Sequence, residues 1–206
     1  MKSIIAHTPE SLSQFAVSRY ILTAELSISL TAEISSLREE FARKYDCAAA
    51  AKLSSGIALA RFEQYEMLEK RIIHRLNNLA IAQPSFLVSL EDFGSLPSHS
   101  IYINITSLNQ WVTLAKSIRP LQSMLTIDKE RKLHVITEPH VLIAHKLLPW
   151  QYEQGWLELS NTHFAGKSMI TKLVLLRKRE GETNYRVLKK FDLLDCREEV
   201  KQGQLF

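Results

Sequence analysis

The sequence predicts an α+β fold: a duplicated strand–helix–strand–helix–hairpin unit forming two pseudo-symmetric lobes, with antiparallel-rich sheets around a central cleft. Three observations predict it. Strand-like apolar runs and helix-spaced apolar residues alternate in the same order twice along the chain. Two short runs, Gly56-Ile-Ala-Leu-Ala-Arg61 and His140-Val-Leu-Ile-Ala-His145, align without a gap. No linker rich in Gly, Pro or Ser parts the halves. They therefore read as a single bilobal domain over 1–206, with lobe one at about 18–105, lobe two at about 106–193 and short terminal arms.

Residues 1–16 read as an irregular arm, and the β-compatible side chains of 19–27 as a buried strand. From Leu30 the apolar positions Leu30, Ile34, Leu37, Phe41 and Tyr45 keep helical spacing, with Arg38, Glu39, Arg43 and Lys44 on the opposite face. A strand at 55–61 precedes a second amphipathic helix, with Leu68, Ile72, Leu76 and Leu79 on one side, that stops before Pro84. Residues 86–91 and 100–105 bracket a loop containing Gly94, Pro97 and His99, a hairpin signature. The second half repeats the order: a helix marked by Leu108, Trp111, Leu114, Ile118 and Leu121, a strand at 139–145, a helix from Trp150 to about Asn161, then a hairpin of 169–176 and 185–191 around Gly181.

Composition narrows the class without naming a chemistry. The chain has 206 residues, enough for a sizeable core, and 26 Lys+Arg against 22 Asp+Glu leave a net charge of only +4. No apolar stretch approaches the roughly 18 residues of a membrane span, and the start of the chain does not read as a secretion signal. Cys47 and Cys196 are lone thiols without CxxC spacing, which suits a reducing, cytoplasmic setting. His134, His140, His145 and His163 lie in one stretch, but no HExxH or CxxC accompanies them, so neither a metal nor another cofactor is expected. The cluster Arg177, Lys178, Arg179, Lys189 and Lys190 reads first as a solvated hairpin tip and second as a grip on nucleic-acid phosphates. Of the aromatic residues that could stack on a base, Tyr102 stands out, because Trp111, Trp150 and Trp156 fall mostly at core-like positions.

The strand Pro139-His-Val-Leu-Ile-Ala144, its aligned counterpart, and the hairpins at 86–105 and 173–193 together resemble the two-histidine (2H) phosphoesterase superfamily. This superfamily includes the RNA 2′,3′-cyclic phosphodiesterases and 2′-5′ RNA ligases. The resemblance spans about residues 18–193 and is specific only near His140. It implies a motif of His, any residue, then Thr or Ser, used twice, because alternate side chains on a strand enter the same cleft. One His then serves as general base and the other as general acid across a phosphate, while the hydroxyls hold its oxygens.

The chain departs from that pattern at three of four positions: Gly56 and Ala58 replace the first motif, and Leu142 replaces the second hydroxyl. A positioned acid or base contributes about 10²–10⁴-fold. The expectation is therefore a degenerate, catalytically impaired member, a pseudoenzyme that binds a nucleotide, an RNA end or another small phosphate ligand in the inherited cleft. Two alternatives stand beside it: residual cyclic phosphodiesterase or 2′-5′ RNA ligase activity using His140 as the catalytic residue, and a protein-interaction module with a vestigial cleft. Strand parity places Lys52 on the face of Gly56 and Ala58, and Lys146 on the face of His140 and Leu142. Lys52, Lys146 and Tyr102 are the candidate ligand-binding residues. By the same parity, the odd offset turns Arg61 and His145 away from the cleft.

Overall fold

The structure, a computed structural model, describes residues 16–54 and 56–194; most of the predicted N-terminal arm and Cys196 lie outside them. Thirteen main elements follow in chain order: β1 (Val17–Ala24), α1 (Ile28–Lys44), β2 (Ile57–Tyr65), α2 (Glu69–Ile81), β3 (Phe86–Leu96), β4 (Ser100–Ile105), α3 (Leu108–Ile118), β5 (His134–Val135), β6 (His140–His145), α4 (Pro149–Leu159), β7 (Ala165–Ile170), β8 (Lys172–Lys178) and β9 (Arg186–Asp192). The strands form two antiparallel sheets, ordered β5-β2-β1-β8-β9 and β6-β4-β3-β7. This is the expected α+β architecture. Both sheets take strands from either side of residue 105, so the sheets interleave along the chain rather than following one another.

The helices cover one face of each sheet. α1 packs behind β6 and β7, and α2 behind β9. α1 begins where the Ser27 hydroxyl accepts the Leu30 N–H, and its last turn carries Arg43 and Lys44, which suits the negative end of the helix dipole. Its buried stripe is Leu30, Ile34, Arg38 and Phe41. Arg38 was expected on the solvent face and is instead 2% exposed, because the helical repeat of 3.6 carries position 38 back under 34. One core runs beneath both sheets, with Leu22 and Ala24 of β1, Val88 and Leu90 of β3, Ile101 and Ile103 of β4, and Trp111 of α3 fully enclosed. The Trp111 indole N–H donates to the Ile136 carbonyl at 3.0 Å, so burial leaves it satisfied.

Two sequence readings need correction. The apolar run at 169–176 is not one strand. Ile170 pairs with Phe86 in the second sheet, whereas Lys172 pairs with Asp192 in the first, so the chain crosses between sheets at Thr171. Hydrophobicity is unchanged through the crossing, which is why periodicity missed it. The short β5, absent from the sequence reading, pairs His134 with Arg61.

The internal repeat has a structural mark that the sequence did not show. In β2, Ala58 faces Thr23 and Ala60 faces Leu22, so Leu59 is an extra residue. In β6, Leu142 faces Tyr102 and Ala144 faces Ile101, so Ile143 is extra. In the gapless alignment of 56–61 with 140–145, Leu59 and Ile143 coincide. The same β-bulge occurs at the same place in both copies.

Candidate functional site

These bulges decide which side chains line the cleft. Along β1, Ser18, Tyr20, Leu22 and Ala24 point into the core, leaving Arg19, Ile21 and Thr23 on the open face. Ala58 lies opposite Thr23 and Arg61 opposite Ile21, so Ala58 and Arg61 share that open face. On β6, His140, Leu142 and His145 lie opposite Asn104, Tyr102 and Ser100, which alternate along β4. All three therefore share one face. Arg61 and His145 do not turn away as the odd offset predicted, because an inserted residue restores even parity beyond the bulge. The open faces converge there, since the Arg61 charge is felt by both His140 and His145.

His140 is half-buried at the start of β6. Its Nδ1 lies 3.2 Å from the Glu138 carbonyl, and a carbonyl only accepts, so Nδ1 carries the proton and Nε2 is left with its lone pair. The imidazole packs on Tyr102, ring centroids 4.7 Å apart and planes 41° apart. Burial, reinforced by Arg61, lowers its pKa below the ordinary histidine value, although the Glu138 carbonyl opposes the shift. Burial also lowers His145, helped by Lys146 and Arg61. At neutral pH both rings are uncharged in the free protein.

Beneath the cleft, Arg38 ties its two rims together. Its Nε donates to the Leu142 carbonyl at 2.9 Å, and its terminal nitrogens donate to the Leu53 and Ser54 carbonyls at 3.1 and 3.2 Å. One guanidinium thus joins the second motif strand to the segment entering the first. Burial lowers its pKa to about 10, which leaves it protonated at neutral pH.

A family model described as the 2′-5′ RNA ligase superfamily matches residues 26–182. The chain belongs to this superfamily. Solved structures agree on the fold. The chain is similar to E. coli LigT complexed with phosphate, at 18% identity and a TM-score of 0.54, over 87% of this chain and 99% of that one. It is similar to E. coli LigT complexed with 3′-AMP, at 18% identity and a TM-score of 0.55, over 86% and 98%. It is also similar to TT0787 of Thermus thermophilus, at 14% identity and a TM-score of 0.60, over 86% and 98%. No curated protein sequence matches the chain.

In this 2′-5′ RNA ligase superfamily member the first expected motif position is held by Gly56. Gly56 is half-buried in the bend ahead of β2, and a Cβ there would stand 3.0 Å from both the Ala24 carbonyl oxygen and the Thr23 Cβ. A side chain at 56 therefore requires local movement of its neighbours. Ala58 and Leu142, at the positions where the resemblance leads one to expect hydroxyls, are both half-buried. Lys52 is not on a strand. It ends the 3-10 turn Ala50–Lys52 and is exposed, so the parity that placed it in the cleft does not apply. Lys146 follows β6 with a left-handed backbone (φ 56°), exposed and within electrostatic reach of His145.

Among the other candidates, Trp111 is core, while Trp150 is 44% exposed at the start of α4. The hairpin cations are largely engaged: Arg177 binds Glu69 at 2.7 Å, Arg179 binds Glu66 at 2.8 Å, and Lys190 pairs with Glu25. Among the described residues, no group of three or more His, Cys, Asp or Glu could hold a metal ion, and no helix is long and apolar enough to cross a membrane.

The residues missed by sequence reasoning are Arg38, Arg61 and His145. The signal for the last two was present, since both fall five places after a motif position in the same gapless alignment. Tyr102 depends on Gly94, its partner across β3 and β4: a Cβ at 94 would lie 2.5 Å from the Tyr102 ring. Gly94→Ala is therefore expected to push the ring off His140 while leaving the core intact and the folding stability within about 1 kcal/mol of wild type. Loss of ring-current shifts at the His140 imidazole protons would report it, and unchanged shifts would refute it.

Proposed function

We propose that this protein binds a phosphate-bearing ligand, a nucleotide or RNA end, in the cleft between β2 and β6, without the two-histidine turnover of its superfamily. The observation that carries the reading is Arg61, an exposed guanidinium beside His140 and His145, on the strand whose first motif position holds Gly56 in place of histidine. Arginine suits phosphate because its planar fork donates two parallel hydrogen bonds. Tyr102 would wall the ligand at His140 and Lys146 would add charge at the His145 end. The LigT crystals complexed with phosphate, 3′-AMP and ATP support a phosphate ligand for this fold.

His145 does not replace the missing acid. The strand partners of His140 and His145 are Asn104 and Ser100, four residues apart on β4, about 13 Å at the strand rise. Two imidazoles at that spacing cannot flank one phosphorus, and the transition state loses about 10²–10⁴-fold for each missing acid or base. One observation favours residual turnover: His140 is neutral with Nε2 open, a competent base. Calorimetric titration with 2′,3′-cyclic AMP, read beside chromatography of the same mixture, tests both. Binding with no hydrolysis is expected. Hydrolysis abolished by His140→Ala would replace the binding reading with the enzymatic one, and no heat of binding would sink it.

The pH dependence follows from the histidine shift. A bound anion favours the imidazolium, so the pKa of His140 is lower in the free protein than in the complex. Affinity therefore rises as pH falls through that interval and levels off below the free value. A cyclic phosphodiester avoids interference from a phosphate group titrating near pH 6. Its Kd is expected to tighten severalfold from about pH 7.5 to about 5.5, and most of that slope should vanish in His140→Gln. A flat wild-type profile would remove His140 from the site.

A further inference from the structure

The back of the first sheet carries α2, which packs against β9. The Tyr20 hydroxyl, on the core side of β1, donates to Glu69 of α2 at 2.8 Å, so α2 lies on the face opposite the cleft. Its buried stripe is Ile72, Leu76 and Ala80. The opposite line runs through Met67, in the 3-10 turn ahead of the helix, then Arg71, His74, Asn78 and Ile81, in steps of four and three that keep to one side. Lys70 and Arg75 flank that line, and all of these side chains are exposed. Lys70, Arg71 and Arg75 make no ion pair with any described residue. The neighbouring carboxylates are turned inward: Glu69 binds Arg177 at 2.7 Å and Glu66 binds Arg179 at 2.8 Å. Arg71 and Arg75 are like charges one turn apart, an arrangement that weakens a helix taken alone. At the two ends of the line, about 20 Å apart at the helix rise, Met67 and Ile81 are 56% and 54% exposed.

We propose that this face docks on an anionic lipid surface, with α2 lying flat on the headgroups, its cations among them, and Met67 and Ile81 entering the interface. The inference is independent of the ligand reading of the cleft. Shape and chemistry together select lipid. The outside of a single helix is a convex ridge, whereas an acidic peptide needs a groove or a sheet edge. A nucleic-acid backbone would satisfy the cations but offer Met67 and Ile81 nothing apolar to meet. Anionic headgroups above acyl chains meet both, and the cations supply most of the attraction. Docked in this way, the cleft on the other face of the sheet stays turned to water.

The test is sedimentation of the full chain with vesicles of phosphatidylcholine alone or mixed equally with phosphatidylglycerol. Partitioning is expected to be about 100-fold stronger onto the mixed vesicles, the combined effect of three basic side chains at an anionic surface. Lys70→Gln, Arg71→Gln and Arg75→Gln combined should remove that difference, and an unchanged urea midpoint would show that the variant folds. Met67→Ser with Ile81→Ser keeps every charge and is expected to lower binding to the mixed vesicles about tenfold. Equal partitioning onto the two compositions, or wild-type binding by the glutamine variant, would overturn the lipid surface. So would wild-type vesicle binding by the serine variant, or retention on immobilised polyuridylate without vesicle binding, because the cations would then serve another polyanion.

Discussion

Arg38→Met is expected to destabilise the folded protein by about 3 kcal/mol, a large part of the roughly 5–15 kcal/mol that holds a typical domain together. Methionine fills similar space along the α1 stripe between Ile34 and Phe41 but donates nothing. The carbonyls of Leu142, Leu53 and Ser54 would lose their guanidinium donors. Hydrogen bonds from a charged group contribute about 1.5–3 kcal/mol each, and an acceptor left dry costs about 1–3 kcal/mol. The Leu142 carbonyl dominates, because it lies inside the β6 bulge, whereas Ser54 is exposed and its carbonyl can turn to water. Removing a buried cation recovers some desolvation energy, the cost visible in the lowered Arg38 pKa, and this keeps the estimate below the sum of the hydrogen bonds lost.

Arg38→Lys should fall between the two, since an ammonium can reach one rim but cannot fork across both. The midpoint of urea denaturation reads the effect directly, with an unchanged slope showing that only stability moved. A wild-type midpoint for Arg38→Met would mean that the two motif segments are held by backbone packing alone. Because Arg38 bridges them, its loss should also loosen the 53–54 segment against β6. Faster amide hydrogen exchange there, ahead of global unfolding, would show that the brace acts locally.

Arg38 also marks the limit of what the sequence disclosed. The helical stripe through Leu30, Ile34 and Phe41 was legible, and position 38 falls on it by spacing; the charge alone moved it to the solvent face in the reading. Residue type outweighed geometry there, and geometry was right. Both hairpins, the four helices and the aligned motif strands were legible because amphipathic periodicity and turn residues are local signals. The crossing at Thr171 was not legible, because apolar residues continue through it and only strand pairing shows the change of sheet. The bulges at Leu59 and Ile143 were equally silent, since an inserted residue in a ladder is a property of two strands. Their effect on the site was nonetheless large: parity counted through them turned Arg61 and His145 away from the cleft that they line.

Arg61→Ala is expected to weaken phosphate-ligand binding by about 10- to 100-fold, the equivalent of one charge-assisted contact of about 1.5–3 kcal/mol. Folding should be nearly untouched, because the side chain is exposed and holds no ion pair with a described residue. Arg61→Lys should recover part of the loss, keeping the charge without the paired donors. The substitution carries a second signal that needs no ligand. Arg61 lowers the pKa of both His140 and His145, a secondary contribution to burial at each. Removing its charge favours the imidazolium, so both rings should titrate at higher pH in Arg61→Ala, followed by the Cε1 proton shifts of each histidine. Movement of both titrations would place the guanidinium between them in solution, as the paired bulges require. If neither histidine moved, Arg61 would not face the cleft, and the phosphate site would lose its central cation. If both moved and the Kd did not, the cleft would be correctly described and its proposed ligand wrong.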